Sequence, residues 1–141
     1  MIIKQISIVI GDKMGRLAEI TEIIANKNIN MRALTLAESP DNGVLRIIVN
    51  EPEQVEKTLR ENNMTLSVSD VLSVCIDDNP GGLAKILRVL ADNNINIKYL
   101  YVLISKQDGD KAYAIIRVKK EEINKAAEIL KKAGYAGLNI E

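Results

Sequence analysis

Residues 78–97, DNPGGLAKILRVLADNNINI, repeat the pattern of residues 12–31, DKMGRLAEITEIIANKNINM, at a shift of 66 positions. Both stretches carry a glycine, a Leu-Ala pair, an isoleucine and an Asn-Ile-Asn triplet at equivalent positions. An internal repeat of this kind predicts two copies of one structural unit. We place the two copies at residues 1–70 and 71–141.

Hydrophobic periodicity predicts the secondary structure within each copy. Each copy begins with an alternating strand, which a loop and a helix with an i, i+3, i+4, i+7 apolar stripe follow. The stripes are Leu17, Ile20, Thr21 and Ile24 in the first copy and Leu83, Ile86, Leu87 and Leu90 in the second. A hairpin, a second helix and a short closing strand complete the order βαββαβ. This order predicts an α+β, ferredoxin-like unit, in which a four-stranded antiparallel sheet carries both helices on one face.

Single residues predict where the helices begin and end. Asn28 and Asn94 stand at the expected ends of the first helices, and asparagine tolerates the left-handed conformation that a helix end requires. Pro52 and Pro80 have the fixed φ that suits the first helical position. We therefore expect helices to begin at or beside these two prolines.

The closing strands are predicted at residues 66–69 and 137–140. Only two residues separate the first of them from the opening strand of the second copy, so we expect no flexible linker. Helices on one face leave the other face of each sheet uncovered. Because the strand at residues 97–104 is apolar on both faces, it needs a second layer. Packing of one copy on the other and formation of a homodimer both remain open as explanations.

The composition argues against several classes of function. Nineteen basic and nineteen acidic residues cancel, so no positive field recruits nucleic acid and no strong charge attracts a membrane. The chain has no histidine and a single cysteine, Cys75, which argues against zinc sites, His-dependent catalysis and intrachain disulfides. We expect no metal, no cofactor and no enzymatic activity. No apolar run approaches the roughly 20 residues of a membrane span, and no signal peptide is evident, so the expected compartment is the cytoplasm.

The loop between the first strand and the first helix carries the most pronounced local chemistry of each copy. It reads DKMGRL at residues 12–17 and DNPGGL at residues 78–83. Gly81 and Gly82 allow a ligand or another backbone to approach closely, and a helix start with free amide groups suits a carboxylate. An ordinary helix start explains the same residues without any ligand.

The second copy resembles a known family signature. The run Asp78-x-Pro-Gly-x-Leu, followed by Ile86, Leu90 and Asn94-Ile95-Asn96-Ile97, is similar to that of ACT domains, the regulatory modules attached to many enzymes of amino-acid metabolism. The first copy resembles it too, with Met14 in place of the proline. The resemblance covers essentially the whole chain twice. It implies a stand-alone tandem ACT protein whose two units pair side by side, with amino-acid ligands held at the seam between the units.

The resemblance also implies which residues bind the ligand. In ligand-binding ACT domains, the loop after the first strand and an asparagine at the start of the second strand hold the amino and carboxylate groups of the ligand. Carried over by position, the ligand residues are Asp12, Met14, Gly15, Arg16, Leu17 and Asn30 in the first copy and Asp78, Gly81, Gly82, Leu83 and Asn96 in the second. Met14 and Arg16 depart from the family pattern. Arg16 either clamps a carboxylate or lies in solvent on the helix.

The leading functional hypothesis is a regulatory protein in which an amino acid or similar ligand binds at the seam and changes contacts with an amino-acid metabolic enzyme or another regulator. The alternative is a structural subunit of an amino-acid biosynthetic enzyme, with no ligand of its own. An acylphosphatase-like hydrolase of the same topology would need an arginine in a phosphate-cradling loop, and the sequence shows no such loop. Tyrosines at 99, 101 and 113 suit stacking on RNA bases, but the neutral net charge argues against this use.

Overall fold

The structure, a computed structural model, describes residues 1–11, 13–38, 43–104 and 109–138. Within these ranges it contains six strands and four α-helices. In chain order they are β1 (Ile2–Val9), α1 (Arg16–Asn26), β2 (Met31–Ala37), β3 (Val44–Val49), α2 (Pro52–Glu61), β4 (Leu66–Asp77), α3 (Gly82–Asp92), β5 (Ile97–Ile104), β6 (Lys111–Val118) and α4 (Ile123–Lys132). A short 3₁₀ turn at Lys120–Glu122 precedes α4. Pro52 is the first residue of α2, as predicted.

Among the described residues, the chain divides into two compact units, one formed by Lys4–Ser69 and the other by Met1–Ile3 with residues 70–138. In the first unit, β3 pairs antiparallel with both β1 and β2. In the second unit, β6 pairs antiparallel with both β4 and β5. The two units therefore repeat one pairing scheme, and the α+β, ferredoxin-like prediction is confirmed.

Each unit has its own hydrophobic core on one face of its sheet. In the first unit, both helices and alternate strand residues supply the buried side chains, which include Ile6, Ile8, Ile20, Ile24, Leu45, Ile47, Val55 and Leu59. In the second unit, the equivalent set includes Leu72, Val74, Ile86, Leu90, Ala114, Ile116, Ala126 and Leu130. Because both helices of a unit pack on strand residues of one parity, they lie on the same face of the sheet. Full burial of each isoleucine or leucine contributes about 1.5–3 kcal/mol to the free energy of unfolding.

β4 differs from the prediction of two short strands at residues 66–69 and 72–76. It is one continuous strand of 12 residues, Leu66–Asp77. The two residues expected to interrupt it stay extended, because Val71 is completely buried and the carbonyl oxygen of Asp70 accepts a hydrogen bond from Arg117 Nη1 at 2.8 Å. One strand therefore contributes residues to both units.

Each of the four described α-helices ends in the same C-terminal motif. A residue in the left-handed conformation follows the helix at Asn28, Asn63, Asn94 and Gly134. After α3, for example, Asn94 N–H donates to Ala91 O at 3.0 Å and Ile95 N–H donates to Leu90 O at 2.9 Å. This pair of bonds is the Schellman motif. The predicted role of Asn28 and Asn94 is confirmed, and Asn63 has the same role without having been predicted.

The closing strand predicted at residues 137–140 falls partly outside the described residues, and its described part, 137–138, is not assigned to a strand. The segment still lies beside β4, because Cys75 N–H donates to the carbonyl oxygen of Ala136 at 2.8 Å. Further along, the amide of Ser73 donates to the carbonyl oxygen of Met1 at 2.7 Å. Leu138 N–H consequently bonds to the side-chain Oγ of Ser73, at 2.8 Å, rather than continuing a backbone ladder.

Candidate functional site

The loop of the second unit forms a tight turn directly before α3. Gly82 N–H donates to Asn79 O at 3.0 Å and closes a β-turn with Pro80 and Gly81 at its corners. Gly81 has φ 90° and ψ −10°, the angles of the third residue of a type II turn. The prediction that Pro80 begins the helix is therefore wrong, because α3 begins at Gly82 and Gly81 is its N-cap.

The loop of the first unit forms the same turn with a different corner residue. Arg16 N–H approaches Lys13 O at 3.4 Å, and Gly15 has φ 83° and ψ −3°. Met14 takes the position that Pro80 has in the second loop, with its side chain 97% exposed. The replacement keeps the turn type and loses only the rigid φ of proline. Asp12, which was predicted to bind ligand, lies outside the described residues.

The corner glycines of the two turns face open space. A Cβ added at Gly15 or at Gly81 would have no described atom within 4 Å. Both residues adopt a positive φ, which residues other than glycine rarely adopt. Each turn therefore presents bare backbone that a ligand can approach.

The second loop also needs its other glycine, Gly82, for a different reason. A Cβ on Gly82, the first residue of α3, would lie 2.0 Å from the carbonyl oxygen of Asp77. The first unit has Arg16 at this position, and it has Gly11, with φ 70°, where the second unit has Asp77. The two loops have thus exchanged the position of a glycine while keeping the same turn.

The helix start of the second unit offers unpaired amide groups. Lys85 N–H donates to Gly81 O at 3.0 Å and opens the hydrogen-bond pattern of α3. Among the described residues no side chain caps this helix, and the amides of Leu83 and Ala84 have no acceptor. Leu83 also packs against the core of its unit, which holds this backbone in place. Amide donors at the positive end of a helix dipole form a favourable site for a carboxylate.

The strand end before the second loop is fixed by polar contacts. Asp77 forms an ion pair with Lys111, and the exposed Asp78 donates its N–H to Asp110 O at 2.7 Å. The hydrogen bond from Lys111 holds the pKa of Asp77 below its usual value, and the same bond raises the pKa of Lys111. The base of this loop is therefore attached to β6.

Arg16 has a poorly satisfied guanidinium in the first unit. Its side chain is 26% exposed, Nη1 donates to Met64 Sδ at 3.2 Å, and the same nitrogen lies 3.6 Å from Glu19 Oε2. Nε is buried and has no hydrogen-bond partner in the described part of the chain. Arg16 is therefore partly buried against Met64 and is not a fully exposed side chain.

Asn30 and the loop of its own unit lie at opposite ends of the sheet. Val9, at the end of β1 before the loop, pairs with Val44 at the start of β3. Met31, which directly follows Asn30, pairs with Val49 at the end of β3. At about 3.3 Å per residue, the two positions are roughly 17 Å apart along the strand direction.

The second unit shows the same separation. Asn96 precedes Ile97, which pairs with Val118, whereas Asp77 pairs with Lys111 at the other end of β6. Both asparagines are exposed. Neither unit therefore brings its own loop and its own asparagine together.

Sequence reasoning missed two features of the loops, Met64 as the partner of Arg16 and the exchange of glycines. The partner lies 48 residues away in the chain, and no local pattern indicates it. The exchange was visible in the repeat, because the shift of 66 positions aligns Gly11 with Asp77 and Arg16 with Gly82. An unequal pair of loops was thus predictable, although its geometry was not.

We also searched the other described residues for a cleft at the predicted ligand residues, a metal site and a membrane span. A cleft of about 490 Å³ is lined by charged side chains of α2 and by none of the predicted ligand residues. No described group of three or more His, Cys, Asp or Glu residues could hold a metal ion. The helices within the described ranges are too short or too polar to cross a bilayer.

Comparisons with known proteins bear on the family and the fold of this chain. The model of a family described as an ACT domain pair matches residues 1–139. A solved protein from Bacteroides thetaiotaomicron is 36% identical, with a TM-score of 0.90, over 99% of this chain and 94% of that chain. The ligand-free regulatory subunit of aspartate kinase from Thermus thermophilus is 16% identical, with a TM-score of 0.65, over 95% of this chain and 97% of that chain. A search of curated proteins gives no significant match.

A second regulatory subunit of aspartate kinase, from Thermus flavus, is 15% identical with a TM-score of 0.63, over 94% of this chain and 95% of that chain. At these identities the two Thermus proteins show the shared fold. The family model goes further, because it matches the chain almost from end to end and both halves show the same strand, glycine turn and helix. The resemblance that the sequence indicated is confirmed, and the chain belongs to the ACT domain pair family.

Proposed function

We propose that this protein is a regulatory module that binds an amino acid or a closely similar small ligand. Binding changes how the protein contacts a partner, for which an enzyme of amino-acid metabolism is the leading candidate. One observation carries the proposal: both units have an exposed type II turn whose glycine faces open space before a helix that has no described side-chain cap. The fold shared with proteins named as regulatory subunits of aspartate kinase supports a regulatory role and an enzyme partner. Catalysis belongs to the partner in this proposal.

The proposed site uses the residues that the family resemblance implied. They are Asp12, Met14, Gly15, Arg16, Leu17 and Asn30 with Asp78, Gly81, Gly82, Leu83 and Asn96. The amides that follow the glycine turn receive the carboxylate, and an asparagine holds the other charged group. Loop and asparagine are separated within a unit. The proposal therefore keeps the expectation, implied by the family resemblance, that the ligand lies at the seam between ACT units. We keep 1–70 and 71–141 as the proposed limits of the two ACT domains.

A thermal-shift screen of the twenty amino acids tests the proposal. A ligand at a hundred times its Kd stabilises the folded protein by about 2.7 kcal/mol, which is a readily measured shift in Tm. A hydrogen bond to a charged group contributes about 1.5–3 kcal/mol, so Asn96→Ala should weaken binding roughly 10- to 100-fold. Asn124→Ala, at an exposed position of α4, is the matched control and should leave the affinity unchanged.

Two results would contradict the proposal. If none of the amino acids shifts Tm, the structural-subunit alternative gains support. If an amino acid binds with the same affinity to the wild type and to both Asn30→Ala and Asn96→Ala, the binding site is elsewhere.

A further inference from the structure

We propose that Arg16 selects the ligand of the first loop, and that this ligand is an acidic amino acid whose side-chain carboxylate pairs with the guanidinium. The inference rests on the proposed function, since it assumes that the loop holds an amino acid by its α-carboxylate. It adds the chemical class of the side chain. It also makes the two loops of the protein unequal in specificity.

The hydrogen bonds of Arg16 within the protein are weak. A guanidinium has five N–H donors, and its best partners are carboxylates that accept two of them. In this structure one donor meets the thioether sulfur of Met64 at 3.2 Å, and a thioether is a weak acceptor. The buried Nε has no partner among the described residues. The guanidinium is thus held against Met64 by a weak acceptor, and its buried Nε has no protein partner in the described ranges.

Arg16 also lies at an unfavourable position for a cation on α1. It is the first residue of the helix, where the helix dipole is positive and a cation is unfavourable. Glu19, in the first turn, offsets part of this charge, but its carboxylate oxygen is 3.6 Å from Nη1, beyond a good hydrogen bond. In the proposed complex the α-carboxylate of the ligand binds the helix start, and the side-chain carboxylate pairs with the guanidinium.

The second loop supplies the contrast. Its residue at the equivalent position is Gly82, where even a Cβ would lie 2.0 Å from a backbone carbonyl oxygen. This loop therefore has no cationic side chain at the position that Arg16 takes in the first loop. The selection that we propose for Arg16 therefore belongs to the first loop.

Calorimetric titration of the full chain with matched acid and amide ligands tests the inference. The probes are L-glutamate with L-glutamine and L-aspartate with L-asparagine, since each pair differs mainly in side-chain charge. We expect the wild type to bind one acid at least about tenfold more tightly than its amide, as one charged hydrogen-bonding pair implies. Arg16→Gln should abolish this preference by weakening the binding of the acid. Arg60→Gln, which removes an exposed arginine from α2, is the control and should retain the preference.

Arg16→Met is a second variant that removes the charge. Methionine is chosen because it packs readily in apolar surroundings such as those near Met64. This variant should behave as Arg16→Gln does. If the wild type binds amides as tightly as acids, or if both Arg16 variants keep the acid preference, the inference is overturned while amino-acid binding stands. If no amino acid binds the wild type at all, the proposed function fails and the inference fails with it.

Discussion

The loops at residues 11–17 and 77–83 reach the same type II turn with different residues. In the first, a left-handed Gly11 precedes the turn and Arg16 begins the helix. In the second, Asp77 precedes the turn, and its carbonyl oxygen packs so closely on the helix start that Gly82 is required there. The type II turn is therefore the feature that both units require. The side chain allowed at the helix start is what distinguishes them.

The largest expected effect is that of Gly82→Ala. The new Cβ would lie 2.0 Å from a backbone oxygen, which cannot rotate away as a side chain can. We expect a loss of about 2–3 kcal/mol in the free energy of unfolding, measured by urea denaturation. Arg16→Ala at the equivalent position is the control and should cost less than about 1 kcal/mol. Equal denaturation midpoints for wild type and Gly82→Ala would show that the close packing is not present in solution.

Substitution of the corner glycines should affect the two loops equally. Gly15→Ala and Gly81→Ala each force a side chain into the left-handed region, at a cost of about 1–2 kcal/mol. The open space around both positions adds no steric term. Urea denaturation of the two variants checks this. A difference between them of more than about 1 kcal/mol would contradict the equivalence of the two turns.

Exchange of the other corner residue should give a smaller effect of opposite sign in each loop. Met14→Pro should stabilise the protein by about 0.4–1 kcal/mol, because proline restricts the unfolded chain and fits the second position of a type II turn. Pro80→Met should destabilise it by a similar amount. Thermal unfolding of both variants measures the pair of changes. If Met14→Pro lowers Tm, the first loop does not have the turn geometry of the second.

The smallest effect concerns pH. The pKa of Asp77 is lowered by its hydrogen bond with Lys111, so the pair stabilises the folded state at neutral pH. This contribution is lost as the pH falls below 3.8, the usual value, through the lowered pKa of the folded state. Asp77→Asn should slightly weaken the dependence of the denaturation midpoint on acid, because the ion pair is exposed. The first loop has no such pair, since Gly11 takes the position of Asp77. An identical pH profile for the variant would mean that the pair contributes nothing.

The sequence was sufficient for the repeat, the ferredoxin-like order and the asparagines at the helix ends, because each depends on residues close together in the chain. It assigned Pro80 wrongly for a physical reason. Proline has a φ near −65° both at the first position of a helix and at the second position of a type II turn, so the residue type alone does not separate them. The continuity of β4 was missed because it depends on the burial of Val71 and on a bond from Arg117, both of which are tertiary.

The candidate site was predictable as a set of residues and not as an arrangement. The glycine turn and the helix start follow from the local motif. The roughly 17 Å between Asn30 and its own loop follows from the pairing of three strands, which only the fold supplies. The contact of Arg16 with Met64 is likewise invisible without the structure.

The central claim is that a ligand carboxylate binds the free amides at the helix starts. Titration of the ¹⁵N-labelled protein with the amino acid that gives the largest thermal shift tests it most directly, by following every backbone amide resonance. The account predicts that the amides of Leu83 and Ala84, or of the equivalent Leu17 and Ala18, move furthest and in proportion to occupancy. Saturable binding that leaves all four of these resonances in place and moves others instead would contradict it.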